Sequence, residues 1–360
     1  MTFGELATLG ALLGHRPPGA EIIRRIDDRQ WLSVLTAANR YHLGPALYAE
    51  AKRGGWLARL PADVGEYLAD LHALNAMRNA RIREQLIECL HALNGRSITP
   101  LLLKGAVSLF AGETARILHD IDLAMRREDL DTGMLEISRL GYRLWTRRPS
   151  GRHCAGVYVR AGDPAALDIH VRIIERNHLL PSEEVWSTAE PVAAGGVSAL
   201  VPSAESRVLH VILHAMVHDQ AYMQGTLPIR AIYDLQRLTV ESSQVDWKSI
   251  RERLRSRRAL CVLDAIGFAG ERLFGLRLAG APAGRHAARL FYFRGMLRHR
   301  GILPERLNVL WAAAHKISAA YYFDERTDTP PLLLWRVRRL LSLSRRRLGG
   351  AIPARTTSAS

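Results

Sequence analysis

Residues 101–122 read Leu-Leu-Leu-Lys-Gly-Ala-Val-Ser-Leu-Phe-Ala-Gly-Glu-Thr-Ala-Arg-Ile-Leu-His-Asp-Ile-Asp. The apolar run 98–103 suits a buried strand, and Pro100 places it near an edge or at the strand start. Lys104-Gly105 then opens a helix predicted to reach Phe110 and to break near Gly112. Residues 120–125 alternate polar and apolar over their first four positions, as a half-buried strand does. Asp120 and Asp122, two apart on an extended segment, project from the same face.

Outward from this stretch, residues 128–140 read as an amphipathic helix ended by Gly141, followed by strand-like runs at 142–146 and 155–160. A further strand is predicted over 167–173. Leu167, Ile169, Val171 and Ile173 share one face, and Asp168, His170 and Arg172 the other. Residues 1–95 carry apolar positions at helical spacing, as in Leu68-Leu71-Leu74-Met77. From Ser203, a plausible N-cap after Pro202, the chain returns to helix, and segments 227–240 and 246–300 are also mainly helical. The expected organisation is α+β: a helical N-terminal lobe (1–95), an α/β core (96–185), a helical C-terminal lobe (186–348) and a disordered tail (349–360).

Composition bounds the chemistry. The 360 residues are 48% hydrophobic and 24% charged, as in an ordinary globular protein. Cys89, Cys154 and Cys261 are far apart and form no CxxC pair, which argues against a disulfide scaffold or a zinc ribbon. With no basic leader and no run of 18 apolar residues, the expected location is the cytoplasm, without a membrane-spanning segment. The net charge of +15 is uneven. Residues 1–250 hold 28 Lys+Arg against 28 Asp+Glu, and residues 251–360 hold 22 against 7, a difference of +15. That last third either offers an anionic partner a basic face or is a set of solvated Arg-rich helices. It has no nucleic-acid-binding signature, and Tyr292, Trp311, Tyr321 and Tyr322 form no obvious stacking platform.

Two carboxylates this close repel unless a cation neutralises them, and Asp168 on a neighbouring strand would supply a third. Such a set suits Mg²⁺ or Mn²⁺, whose remaining ligands are phosphate oxygens and water. Three carboxylates on adjacent strands can hold two ions about 3.5–4 Å apart and so clamp both oxygens of a phosphoryl transfer. Gly105 at the strand–helix join would let the backbone approach a phosphate, with Lys104 as a point charge and Arg116 as a forked contact. His210, His214 and His218 recur every fourth residue on one helical face, which could line a cleft, pack on the core or bind zinc.

The pattern resembles the DNA polymerase β-like nucleotidyltransferase superfamily, marked by a strand, a small-residue turn opening a helix, an acidic-x-acidic strand and a third acid. Here Gly105-Ala106 takes the turn, 13 residues (107–119) intervene, and Asp120-Ile121-Asp122 follows. More narrowly it resembles a bacterial nucleotidyltransferase family with Leu103-Lys104-Gly105, Arg116 to Asp122 and Asp168-Ile169-His170 as its marks. The resemblance implies a polymerase β-like core, Asp120, Asp122 and Asp168 as catalytic metal ligands, and Lys104, Gly105, Ala106 and Arg116 at the nucleotide. It places His170, His214, His218 and Asp234 near the cleft. It implies transfer of a nucleoside monophosphate from an NTP to an acceptor: a small molecule, peptide, protein or RNA. Ala106 stands where Ser or Gly is usual. A degenerate nucleotide-binding or regulatory protein, and an RNA-binding adaptor, are the competing readings.

Overall fold

The computed structural model describes residues 3–14, 16, 19–112, 114–146, 154–241, 245–256, 259–278 and 286–303. The part of the expected C-terminal lobe beyond residue 303, the expected tail from 349, and Trp311, Tyr321 and Tyr322 lie outside them. Among the described residues the chain is a mixed α+β structure. Its first part is helical: α1 (Phe3–Leu13), α2 (Ala20–Arg24), α3 (Asp28–Arg40), α4 (Gly44–Arg53) and the long α5 (Ala62–Asn94). Asp27 starts α3 through a capping box, its side chain accepting from Gln30 N while the Gln30 side chain accepts from Asp27 N.

The middle supplies β1 (Leu101–Leu102), α6 (Gly105–Phe110), β2 (Asp120–Ala124), α7 (Leu130–Arg139), β3 (Arg143–Thr146), β4 (Cys154–Val159), β5 (Ala166–His170), α8 (Ser182–Ser187), β6 (Glu190–Ala194) and β7 (Val197–Val201). The sheet order is β3-β4-β5-β2-β1-β7-β6, with β2/β5 and β1/β7 parallel and the other pairs antiparallel. The rest is helical again: α9 (Ala204–Leu213), a π-helical turn (His214–His218), α10 (Ala221–Gln224), α11 (Ile229–Glu241), α12 (Trp247–Ser256), α13 (Leu260–Phe274) and α14 (His286–His299).

Three expectations change. The segment from 186, read as helical, holds the β6–β7 hairpin, and β7 pairs with β1, so the sheet extends past residue 185. Gly195 and Gly196, both at positive φ, make its two-residue turn. Strand β5 ends at His170, short of Val171 and Ile173. Strand β2 is interior, and Ile121 through Ala124 are all buried, because helices cover both faces. Pro100 stands at the start of β1 rather than at an edge, and its carbonyl accepts from Leu200 N.

Ile121, Leu123, Leu167 and Ile169 pack with Ile82, Leu86 and Leu90 of α5 in one apolar cluster. A larger cluster joins α1, α3 and α4 to α9, α11 and α13, so the two helical parts share one core. Gly10 of α1 lies so close to α13 that a Cβ would stand 2.3 Å from Leu273 O. The other sheet face, bearing Asp122 and Asp168, turns toward this second layer.

Candidate active site

In the parallel β2/β5 pair, Asp120 lies opposite Ala166, Asp122 opposite Asp168 and Ala124 opposite His170. Side chains alternate along strands and align across them, so Asp120, Asp122, Asp168 and His170 leave the sheet on one side. Asp122 and Asp168 are each 2% exposed, and Asp120 at the strand start is exposed. Lys104 Nζ is 2.6 Å from Asp122 Oδ1, and His170 Nε2 is 2.9 Å from the same oxygen. His170 Nε2 is also 3.7 Å from Asp168 Oδ2, while Cys154 Sγ on β4 donates to Asp168 Oδ1 at 2.6 Å.

Among the described residues, Asp122, Asp168 and His170 form a set whose ligand atoms all lie within 4.8 Å of one another. Asp120 stands outside that set, at its cleft-facing end. Three carboxylates against one lysine leave a net negative site, and oxygen-rich donors of this kind suit a hard divalent cation. Burial and the neighbouring Asp122 charge push the Asp120 carboxyl above its ordinary range, with Lys104 partly offsetting them. Burial works the same way on Asp122, but Lys104 and the His170 hydrogen bond outweigh it and hold the carboxyl far below the usual range. Burial opposes the charge on Lys104, yet Asp122, Asp120 and Asp168 keep its pKa above 10.5.

The turn that delivers Lys104 is strained. Lys104 has φ 46° and ψ −119°, and Ala106 N donates to Leu103 O at 3.0 Å. This is type II′ geometry with lysine where glycine is usual. A Cβ on Gly105 would stand 2.4 Å from Leu118 Cδ2, so the glycine admits Leu118. The Ala106 N–H is already used within the turn.

The loop entering β2 is held from α5. Asn75 Nδ2 donates to Arg116 O, Asn79 Nδ2 donates to Thr114 O and Arg116 O, and Arg78 donates to Leu118 O. The same helix reaches the start of β5, with Arg78 Nη2 donating to Pro164 O and Gln85 Nε2 to Ala165 O, both at 2.7 Å. One helix thereby fixes the strand carrying Asp120 and Asp122 relative to the strand carrying Asp168. Asn75, Arg78, Asn79 and Gln85, like Cys154, belong to no motif of the sequence. The spacing 75, 78, 79, 82, 85, 86 is a helical face mixing polar with apolar residues, and that face is the signal the sequence offers for them.

Above the carboxylates lies a cleft of about 1160 Å³ lined by Lys104, Asp120, Arg116, Arg207, Arg230 and Asp234, among others. Arg116 Nη2 is 3.0 Å from Asp234 Oδ2, and Arg230 Nη2 donates to Ile117 O at 2.7 Å. His214 lines the same cleft, whereas His170 is buried beneath it. His210 and His214 line the cleft, whereas His218, expected there as well, is not among its lining residues. The three rings follow one another with centroids 6.0 and 4.8 Å apart at 63° and 37°. His210 is buried, and its pKa is pushed well below 6.5 by desolvation first and then by Lys104, His214 and His170.

Fold and site together define an α+β protein that sets Asp120 in a cationic cleft and buries Asp122 and Asp168 beside it. The chain belongs to the uncharacterised nucleotidyltransferase family, whose profile matches residues 27–275. Comparison with curated proteins and with solved structures returned no match. Among the described residues no helix is long and apolar enough to cross a membrane.

Proposed function

We propose that the protein is a Mg²⁺- or Mn²⁺-dependent nucleotidyltransferase that moves a nucleoside monophosphate from an NTP to a nucleophile on an acceptor. The observation that carries this reading is the in-register pairing of Asp122 with Asp168, with Lys104 on Asp122. Asp120, Asp122 and Asp168 are the residues that would hold the divalent ions. Bound there, such ions neutralise developing charge on the phosphates. Lys104 and Arg116 contribute the cations of the chain itself. Helix α6 is only six residues long, so Lys104 rather than a helix end supplies the charge at the turn.

The acceptor oxygen bonds to the α-phosphorus, the bond to the β-phosphate oxygen breaks, and pyrophosphate leaves with its electron pair. The acceptor proton passes to a carboxylate, a role we give to Asp168, whose Oδ1 accepts from Cys154 Sγ while its Oδ2 stands 3.7 Å from His170 Nε2. The cleft exceeds the roughly 300–1,000 Å³ of an ordinary ligand pocket, giving room for an NTP and part of an acceptor. Positioning and fixed charge supply the acceleration.

The test is a thermal-shift titration with each NTP, with and without Mg²⁺ or Mn²⁺, on wild type and Asp122→Asn. A ligand at about 100 times its Kd stabilises by about 2.7 kcal/mol. Metal-dependent stabilisation absent from Asp122→Asn supports the reading, and α-phosphate label then identifies acceptors. A folded protein that answers no NTP would shift the assignment to a degenerate core. Salt-sensitive RNA binding that survives Asp122→Asn would favour an adaptor acting through residues 251–360.

A further inference from the structure

We propose that His214, His218 and Asp219 form a second metal site, distinct from the sheet carboxylates, that takes Zn²⁺ or a similar borderline divalent ion. The three side chains bring ligand atoms within 4.8 Å of one another. His214 Nδ1 lies 3.1 Å from Asp219 Oδ2, and the His214 and His218 rings are 4.8 Å apart at 37°. Glu175 lies beside the set rather than in it, with Oε2 3.9 Å from His218 Nδ1.

The backbone accounts for this grouping. His214 and His218 are four apart and would share a face of any helix. Asp219 is five residues from His214, which in an α-helix leaves the two about 140° apart. The chain instead forms a π-helical turn over His214–His218, and Asp219 N donates to His214 O at 2.8 Å. The wider turn swings Asp219 onto the histidine side, and such turns concentrate at functional sites. A histidine–aspartate hydrogen bond alone would not need the second imidazole.

The donor chemistry separates this set from the one on the sheet. Two imidazoles with carboxylate suit zinc and its neighbours in the transition series, whereas Mg²⁺ takes oxygen ligands. The zinc-bound distances of about 2.0–2.2 Å require the ligand atoms to close in further. The side chains can do so, being 31% (His214), 24% (His218) and 55% (Asp219) exposed. His214 and Asp219 line the cleft, so ligand positions left open by the protein face the same space as Asp120 and Lys104. Three protein ligands with one open position is the arrangement of catalytic rather than structural zinc.

The experiment uses untagged full-length protein stripped with a chelator. Zn²⁺ is titrated against a chromophoric chelator, and Co²⁺ spectra are recorded in parallel. One tight equivalent and a four- or five-coordinate Co²⁺ spectrum are expected in wild type and in Asp122→Asn. Both should be lost in His218→Ala and in Asp219→Asn, the latter a half-exposed change that leaves the core untouched. Absence of a tight equivalent in wild type overturns the proposal. So does a tight equivalent that persists in His218→Ala and Asp219→Asn, or one lost in Asp122→Asn, which would assign the ion to Asp122, Asp168 and His170. Because binding is read without NTP, failure here leaves the nucleotidyltransferase reading standing, and the converse also holds.

Discussion

The Lys104 ammonium rests 2.6 Å from Asp122 Oδ1 while the Lys104 backbone sits at φ 46°, a region that disfavours any side chain with a Cβ. The fold tolerates this strain at the residue that balances a buried carboxylate, a pattern that clusters at functional sites. Removing the charge while keeping the strain, as in Lys104→Ala, should destabilise the metal-free protein by about 3 kcal/mol, the scale of breaking a buried ion pair. Lys104→Gly loses the same charge but relaxes the backbone, and should be more stable than Lys104→Ala by about 1 kcal/mol. Urea denaturation of both variants measures the difference. Equal midpoints would mean the turn is not strained.

Asp120 behaves oppositely. Burial and the Asp122 charge both disfavour its ionised form, so in the absence of metal it is a source of repulsion. Asp120→Asn should therefore leave the melting temperature of the metal-free protein unchanged or raised, and remove the additional stabilisation by Mg²⁺. A variant that melts lower without metal and still responds fully to Mg²⁺ would show Asp120 to be a structural partner only.

The site reads unevenly from sequence for a physical reason. Asp120, Asp122, Asp168 and the Lys104 turn belong to short segments whose period and spacing are local, so the strands carrying them could be assigned from sequence. That Asp122 faces Asp168 in register depends on which strands pair, and pairing is a long-range property. Asp219 joins the histidines only through a π-helical turn, which changes the period that a sequence reading must assume. The β6–β7 hairpin had a local signal in Gly195-Gly196, but its flanking strands carry Glu190, Pro191 and Ser198, and their weak alternation masked it. Cys154 is separated from Asp168 by 14 positions and is placed by β4/β5 register alone.

Asn79 gives a prediction away from the carboxylates. Its side chain is 5% exposed and donates to both Thr114 O and Arg116 O in the loop that feeds β2. Asn79→Ala leaves those carbonyls short of a donor and should cost about 1–3 kcal/mol. Because the loop sets where β2 begins, the metal-dependent thermal shift should also shrink. Stability loss with an unchanged metal response would confine Asn79 to a scaffold role.

The Arg116–Asp234 pair carries a pH dependence whose sign can be worked out. Burial raises the Asp234 pKa above its ordinary value, while Arg116 and then Arg230 pull it back. A carboxyl whose folded pKa exceeds its unfolded one, about 3.9, costs stability as it ionises. That cost is absent below the unfolded pKa and accumulates as pH rises toward the folded one. Removing the cation 3.0 Å away, as in Arg116→Gln, lifts the folded pKa further and widens the window. The variant should lie close to wild type near about pH 4 and fall progressively behind it toward about pH 7, as urea midpoints across that range would record. A deficit of constant size at every pH would mean that Arg116 contributes packing and hydrogen bonds rather than charge. Arg116 would then be the weaker candidate for a phosphate contact, since a guanidinium that does not sense a carboxylate at 3.0 Å would gain little from a triphosphate in the same cleft.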